Sequence, residues 1–320
     1  MVALKLQDCL KKIDELAIEE LASYSYSELS MVKVFVYGLI KGIREFKTLH
    51  DHLEGKAEVQ SWLGWQQVPH RTTLSRRFKA LPEKLCSLIA EVYQKFVTSE
   101  QIRETVMSVD SSLMQAQGNV WHKKDREAGV LPKCGNIDTE AHWGINGCGE
   151  WTFGYRFHCL VNADAELALP KDVAVYAANL KDGTVFTDEL APSLSHDTDV
   201  VLADSGYDDQ ACYDVCDERQ ISLIAPLDVK PNTPPERTER ATLFNDPEVR
   251  GVFALRKVSV EPFQGHLKTL FDLEQLPVKG LKNVRSLVTL AVFVYNFLAW
   301  INSLLDRPIL HLKQTLLALR

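Results

Sequence analysis

The chain has 320 residues, 46% hydrophobic and 25% charged, with 16 glycines and 13 prolines, proportions that exclude disordered, collagen-like and low-complexity classes. Its formal net charge of −7 excludes a protein that coats nucleic acid through a uniformly basic surface. Seven cysteines without a CxxC pair exclude the dense disulfide framework of small secreted domains and point to a reduced, cytoplasmic setting.

Residues 1–100 read as helical: apolar residues recur at helical spacing, β-branched runs are few, and breaks fall near Gly55 and Pro69. The first twenty residues are acid-rich through Asp14, Glu15, Glu19 and Glu20 and lack the basic-then-apolar order of a signal peptide. Pro69–Leu81 predicts a short helix with Thr72 as its N-cap and a basic face of Arg76, Arg77 and Lys79. That face is either a recognition helix in a helix-turn-helix-like region or an ordinary solvated surface.

From about residue 104 the texture changes. Thr105–Asp110 predicts a strand ending in an acid. Residues 112–151 are irregular, with Trp121, Trp143 and Trp151 among Lys123, Lys124, Arg126 and Lys133. This stretch is either a surface subdomain with a small aromatic core or a contact that stacks on unpaired bases. Phe153–Val161 and Asp172–Ala178 read as strands, and Arg156 and His158 share a face by the two-residue period. Residues 184–194 read as helical. Asp199–Asp204 is a second strand ending in an acid, followed by a helix from Asp209 to Arg219 with Asp208 as its N-cap, and by a strand Ile221–Ala225. A proline-rich loop spans Pro226–Thr238, a helix begins near Ser259, and a long apolar helix covers 284–305. Leu287–Leu305 is uncharged and near the length of a membrane span, but Thr289, Tyr295, Asn296, Asn302 and Ser303 interrupt it and no second span accompanies it. It reads as a buried helix. Strands followed by strand–helix–strand alternation imply an α/β mixed sheet flanked by helices.

Ligands in open α/β sheets bind beyond the carboxyl ends of strands, where Asp110 and Asp204 both sit. Taken singly, each acid is a turn former or helix cap. Together with Glu261, which opens a later helix, they offer three hard oxygen donors, a set that suits Mg²⁺ or Mn²⁺ rather than zinc. Two such ions activate a water or hydroxyl and stabilise the leaving oxygen in phosphodiester chemistry.

These residues carry a resemblance. Val201–Asp208 (VLADSGYD) is similar to the second-Asp motif of bacterial insertion-sequence transposases of the DDE superfamily, and Val109–Ser112 (VDSS) to their first-Asp strand. Gly154–His158 (GYRFH) resembles the strand between them, and Val260–Lys268 (VEPFQGHLK) resembles the Glu-containing helix. The likeness covers residues 104–305. It implies a ribonuclease-H-like catalytic domain with C-terminal helices at 101–320, which follows the α-helical region read at 1–100, a candidate for DNA binding. It implies Asp110, Asp204 and Glu261 as the catalytic and metal-binding triad, with two Mg²⁺ ions for which Mn²⁺ can substitute. It further implies DNA strand cleavage and strand transfer, with element ends and target DNA as partners, a homodimer in the active complex, a cytoplasmic location and no membrane. Lys257, Lys268, Arg156, His158, Arg76, Arg77 and Lys79 are the expected DNA contacts.

The chain departs from the family's Tyr–Arg–Glu–Lys spacing. Lys268 fits the last position, but Lys257 stands where Arg is usual and Ala254 where Tyr is usual, with Arg256 one residue away. Lysine is a point charge without the guanidinium fork. Pro262 is accommodated in a first helical turn if Ser259 is the N-cap, which places Glu261 and Lys268 two turns apart on one face. The charge is also partitioned. Residues 1–100 hold 14 basic and 13 acidic groups, 101–250 hold 13 and 26, and 251–320 hold 9 and 4. The acidic excess lies where two of the three metal ligands are expected, and the basic excess lies around the Glu261 helix.

Overall fold

The computed structural model describes residues 4–20, 25–132, 135–163, 167–227, 233 and 235–320. Lys133 and much of the proline-rich loop (228–232 and 234) lie outside the described residues. Helices α1 (Leu6–Lys12), α2 (Glu28–Ile40), α3 (Phe46–Glu54), α4 (Ala57–Trp62), α5 (Arg71–Lys79) and α6 (Pro82–Thr98) lead into strand β1 (Val106–Gln115). Next come α7 (Lys123–Glu127), β2 (His142–Ile145), β3 (Trp151–Asn162), β4 (Pro170–Ala177) and α8 (Asp182–Val185). They are followed by β5 (Val200–Leu202), α9 (Gln210–Asp217), β6 (Ser222–Ile224), α10 (Pro235–Leu243) and α11 (Pro247–Phe253). Helices α12 (Val260–Phe271), α13 (Leu281–Leu304) and α14 (Leu312–Leu319) come last. The chain divides into two compact units, residues 1–92 with 282–320, and residues 93–281.

In the first unit, α2 is buried along nearly its whole length because most of it is apolar and its charged Glu28 and Lys33 are paired with Arg77, Lys84 and Asp14. Ser27 caps it by accepting from the Ser30 N–H. Phe35, Phe46 and Phe78 pack edge to face with centroids 5.1–6.5 Å apart. Helix α5 is capped by His70, whose Nδ1 accepts from the Thr72 N–H, so the cap lies two residues earlier than the sequence suggests. An imidazole nitrogen here does the work usually given to a hydroxyl. The end of α14 is tied to the end of α2: Lys41 Nζ donates to the Leu319 carbonyl at 3.0 Å, and Arg320 Nε to the Ile40 carbonyl at 3.1 Å. Those bonds tie the end of the chain to the first helices, and residues 282–320 group with 1–92. Helix α13 is, among the described residues, the one long and apolar enough to cross a membrane, and 89% of its most apolar stretch is buried.

In the second unit, β3 pairs antiparallel with β1 on one edge, while β2 and β4 share its other edge. Strand β5 lies parallel to β1, and β6 parallel to β5. This is a mixed sheet of the expected class. Strand β1 does not end at Asp110 but runs on to Gln115, because pairing with β3 continues to Gln115 opposite Gly154. Cross-strand pairing overrides the weak β-propensity of Ser111 and Ser112. The close approach there needs glycine: a Cβ on Gly154 would lie 1.9 Å from the Met114 carbonyl oxygen. One core joins Met107, Val109, Leu160 and Val201 from the strands to Ala203, Phe186, Tyr207, Cys212 and Cys216. Helix α12 packs on β1 and β3 through Val260, Phe263, Leu267 and Phe271, which recur at helical spacing.

Candidate active site

Two strand registers build the site. Ser108 of β1 pairs with Leu202 of β5 in parallel, the last pair of that ladder, so Asp110 and Asp204 each follow a paired residue by two, and the charge of Asp204 is felt at Asp110. Strand β5 stops at Leu202 while β1 continues, which leaves the edge of β1 open beside Asp110. Asp204 caps the 3₁₀ turn Ser205–Tyr207, its Oδ1 accepting from the Gly206 N–H at 2.9 Å. A Cβ on Gly206 would lie 2.6 Å from Asp182 Oδ2 and 3.0 Å from Asp204 Oδ1. Only glycine leaves both carboxylates in place.

Glu261 lies in the first turn of α12, an exposed position. Ser259 precedes that helix, but its hydroxyl donates to the Leu255 carbonyl at 2.7 Å rather than capping α12. Arg256, in the 3₁₀ turn Ala254–Val258 before α12, is buried and sets one terminal nitrogen 3.0 Å from Asp110 Oδ2. The Ser111 N–H donates to Asp110 Oδ1 at 2.8 Å. Burial pushes the Asp110 carboxyl up to about 6; Arg256 opposes the rise, while the negative charges of Asp204 and Glu261 add to it. Burial also raises Asp204, with Asp182 adding and Arg256 and Arg156 opposing. Asp110 thus feels both other members of the proposed triad, and the same guanidinium faces both aspartates.

Arg156 and His158 occupy the sheet face opposite Asp110, because His158 pairs with Ser111 and Asp110 with Cys159. Arg156 Nη1 donates to both oxygens of the nearly buried Asp182, at 2.7 and 2.8 Å. His158 is fully buried, its Nδ1 lying 3.3 Å from the Tyr207 hydroxyl and 3.8 Å from Asp182. Burial, and then Arg156, lower its imidazole to about 3, so it is neutral at physiological pH. Complete burial takes His158 out of reach of DNA and makes it a brace behind the Asp204 turn. Tyr207 belongs to the second-Asp motif, whereas Asp182 carries no sequence motif. The available signal was Arg156 itself, a charge within an otherwise apolar strand that demands a buried partner.

Lys268 lines an open groove of about 850 Å³ together with Asp204, Asp182, Arg156 and Ser111, whereas Asp110 and Glu261 do not line it. Burial lowers the Lys268 ammonium, and the charge of Glu274 partly offsets this. Lys257 is exposed, as are Arg76 and Lys79 on α5. Arg77 is not: it is buried, 2.6 Å from Glu28, and donates to the Tyr26 carbonyl. That pairing commits it to the fold and takes it away from DNA. In the aromatic stretch, Trp143 donates to the Trp121 carbonyl and packs near Phe153, while Trp151 is exposed with Lys123 over its ring. Asp209, not Asp208, caps α9, because Asp208 is held by Arg237.

A hard divalent cation suits the donor set. The three acids offer only carboxylate oxygens, both aspartates are raised, and a side-chain cation already stands at Asp110. The carboxylates are not drawn into a closed cluster. Among the described residues, the group of three whose ligand atoms all lie within 4.8 Å of one another is His50, Asp51 and Glu54 on α3.

No curated protein matches the sequence. Two similar solved structures are a pre-cleavage Mos1 transpososome, at 10% identity over 91% of this chain and 84% of that one, and a Mos1 transposase paired-end complex with the left transposon end, at 11% identity over 89% and 82%; both have TM-scores of 0.22. Residues 102–297 match the family described as Transposase DDE domain, a span that holds Asp110, Asp204, Glu261 and the whole mixed sheet. The chain therefore belongs to the transposase DDE domain family, whose members are DNA transposases.

Proposed function

We propose that Asp110, Asp204 and Glu261 are the catalytic carboxylates with which this transposase cuts DNA at the ends of an insertion element and joins the freed 3′-hydroxyl to target DNA. The observation that supports the reading is the electrostatic environment of Asp110, which feels the charges of both Asp204 and Glu261 across the guanidinium of Arg256. Divalent cations held by the three carboxylates, two Mg²⁺ with Mn²⁺ as a substitute, would activate the attacking oxygen and stabilise the leaving one.

The chain's own groups do the positioning. Arg256 counters the negative charge that the aspartates share. Lys268, seven residues after Glu261, offers an ammonium to a phosphate oxygen in the groove that also holds Asp204. Lys257 offers a second, solvated charge next to Arg256. The Arg156–Asp182 pair and neutral His158 hold the Asp204 turn from behind. Element ends and target DNA are the substrates. Bringing two ends together requires at least a homodimer in the active complex, which works in the cytoplasm with no membrane.

The test is a strand-transfer assay with the element's terminal repeat, a supercoiled target and Mg²⁺. Joined products from the wild type, absent with Asp204→Asn or Asp110→Asn, support the reading. Cleavage without joining would leave a nuclease, and binding without cleavage an inactive module; either result contradicts the proposal.

A further inference from the structure

On α5, Thr72, Ser75, Arg76 and Lys79 stand at positions i, i+3, i+4 and i+7 and so form one stripe. Together with Ala80 and Lys282 they line a groove of about 450 Å³ that no acidic side chain enters. Arg76, Lys79 and Lys282 are exposed, and among the described residues the side chain of none of the three has a hydrogen bond or ion pair. Neighbouring cations of the same unit behave differently. Arg77 and Lys84 share Glu28, Lys33 pairs with Asp14, and Lys12 with Glu15. Lys282 is the second residue of the 24-residue helix α13, where the positive end of the helix dipole adds to its charge.

Three unbalanced cations converging on one groove, in a chain whose net charge is −7, call for an anion from outside. We infer that this groove clamps the sugar–phosphate backbone of duplex DNA without reading its sequence, with Lys282 as a contact that the sequence pattern does not reveal. Short hydroxyls beside Arg and Lys are the common donors to phosphate oxygens. The stripe carries neither Asn nor Gln, the side chains that pair bidentately with adenine. The inference rests on the reading that this chain acts on DNA and adds where, and in what manner, the first unit holds it.

Fluorescence anisotropy of the full chain with two unrelated duplexes of about 20 base pairs, between about 50 and 200 mM salt, tests it. Lys282→Gln should lower the slope of log K against log salt by about 1, and Arg76→Gln/Lys79→Gln/Lys282→Gln by about 3, equally on both duplexes. Thermal melting of these variants should match the wild type, since the side chains are exposed. A slope unchanged by the triple substitution, or a loss confined to one duplex, overturns the clamp alone. Wild-type protein that binds neither duplex overturns the clamp and the DNA reading together.

Discussion

One terminal nitrogen of Arg256 lies 3.0 Å from Oδ2 of Asp110, and both side chains are largely withdrawn from water. Removing one partner from such a pair leaves a buried charge without compensation. Arg256→Gln should therefore destabilise the metal-free protein by about 3 kcal/mol in urea unfolding at pH 7.5. The loss should shrink at pH 5, where Asp110 can take up a proton, and shrink again when Mg²⁺ is added at pH 7.5. A variant as stable as the wild type in chelator at pH 7.5 would show that the pair carries no such role.

The Asp110 carboxyl, raised to about 6, sets a pH dependence. Its folded value lies above the ordinary value near 3.9, so the folded state binds the proton more tightly than the unfolded one. The stabilising contribution is full below about pH 4 and is lost as pH rises through about 6. In chelator, the melting temperature of the wild type relative to Asp110→Asn should be highest at about pH 4, fall between about pH 4 and 6, and level off toward pH 7.5. Metal binding runs the other way. Protons compete for the ligand, so Mg²⁺ affinity measured by calorimetry should drop about tenfold per unit below pH 6.

Gly206 admits no side chain without moving Asp182 or Asp204. Carboxylate oxygens can swing aside at little cost to the fold, but a displaced ligand is costly to the chemistry. Gly206→Ala should lower DNA cleavage by about a hundredfold while shifting the melting temperature by only a few degrees. Equal losses in activity and stability would instead mark Gly206 as a folding residue.

Arg77 and Arg76 are neighbours with opposite fates, one buried on Glu28 and the other exposed beside Lys79. Arg77→Gln should cost about 2 kcal/mol of stability, softened because Lys84 still faces Glu28 at 2.9 Å, and should leave the salt dependence of DNA binding unchanged. Urea unfolding and anisotropy on the same variant separate the two effects.

Much of this was legible from residue patterns. Both aspartates follow short apolar runs in the sequence, and the mixed sheet that carries those runs follows from strand alternation and the βαβ order. Glu261 and Lys268 sit at the start and two turns along one helix. What the sequence hid depends on partners distant along the chain. Asp110 lies inside its strand because β3 pairs past it. Arg156 and His158 were legible as sharing a face, but not which face, since that is fixed by register with β1 rather than by local alternation. Arg77 differs from Arg76 only through Glu28, nearly fifty residues earlier. Asp182, Arg256 and Lys282 take their meaning from what folds against them.

The central claim is that Asp110, Asp204 and Glu261 together hold the divalent ions, and a change of metal specificity tests it most directly. A thiolate is a poor ligand for Mg²⁺ and a better one for the softer Mn²⁺. Each of Asp110→Cys, Asp204→Cys and Glu261→Cys should lower Mg²⁺-supported DNA cleavage by about a hundredfold or more, with substantial recovery in Mn²⁺. Any of the three cleaving as well as the wild type in Mg²⁺ would contradict the account.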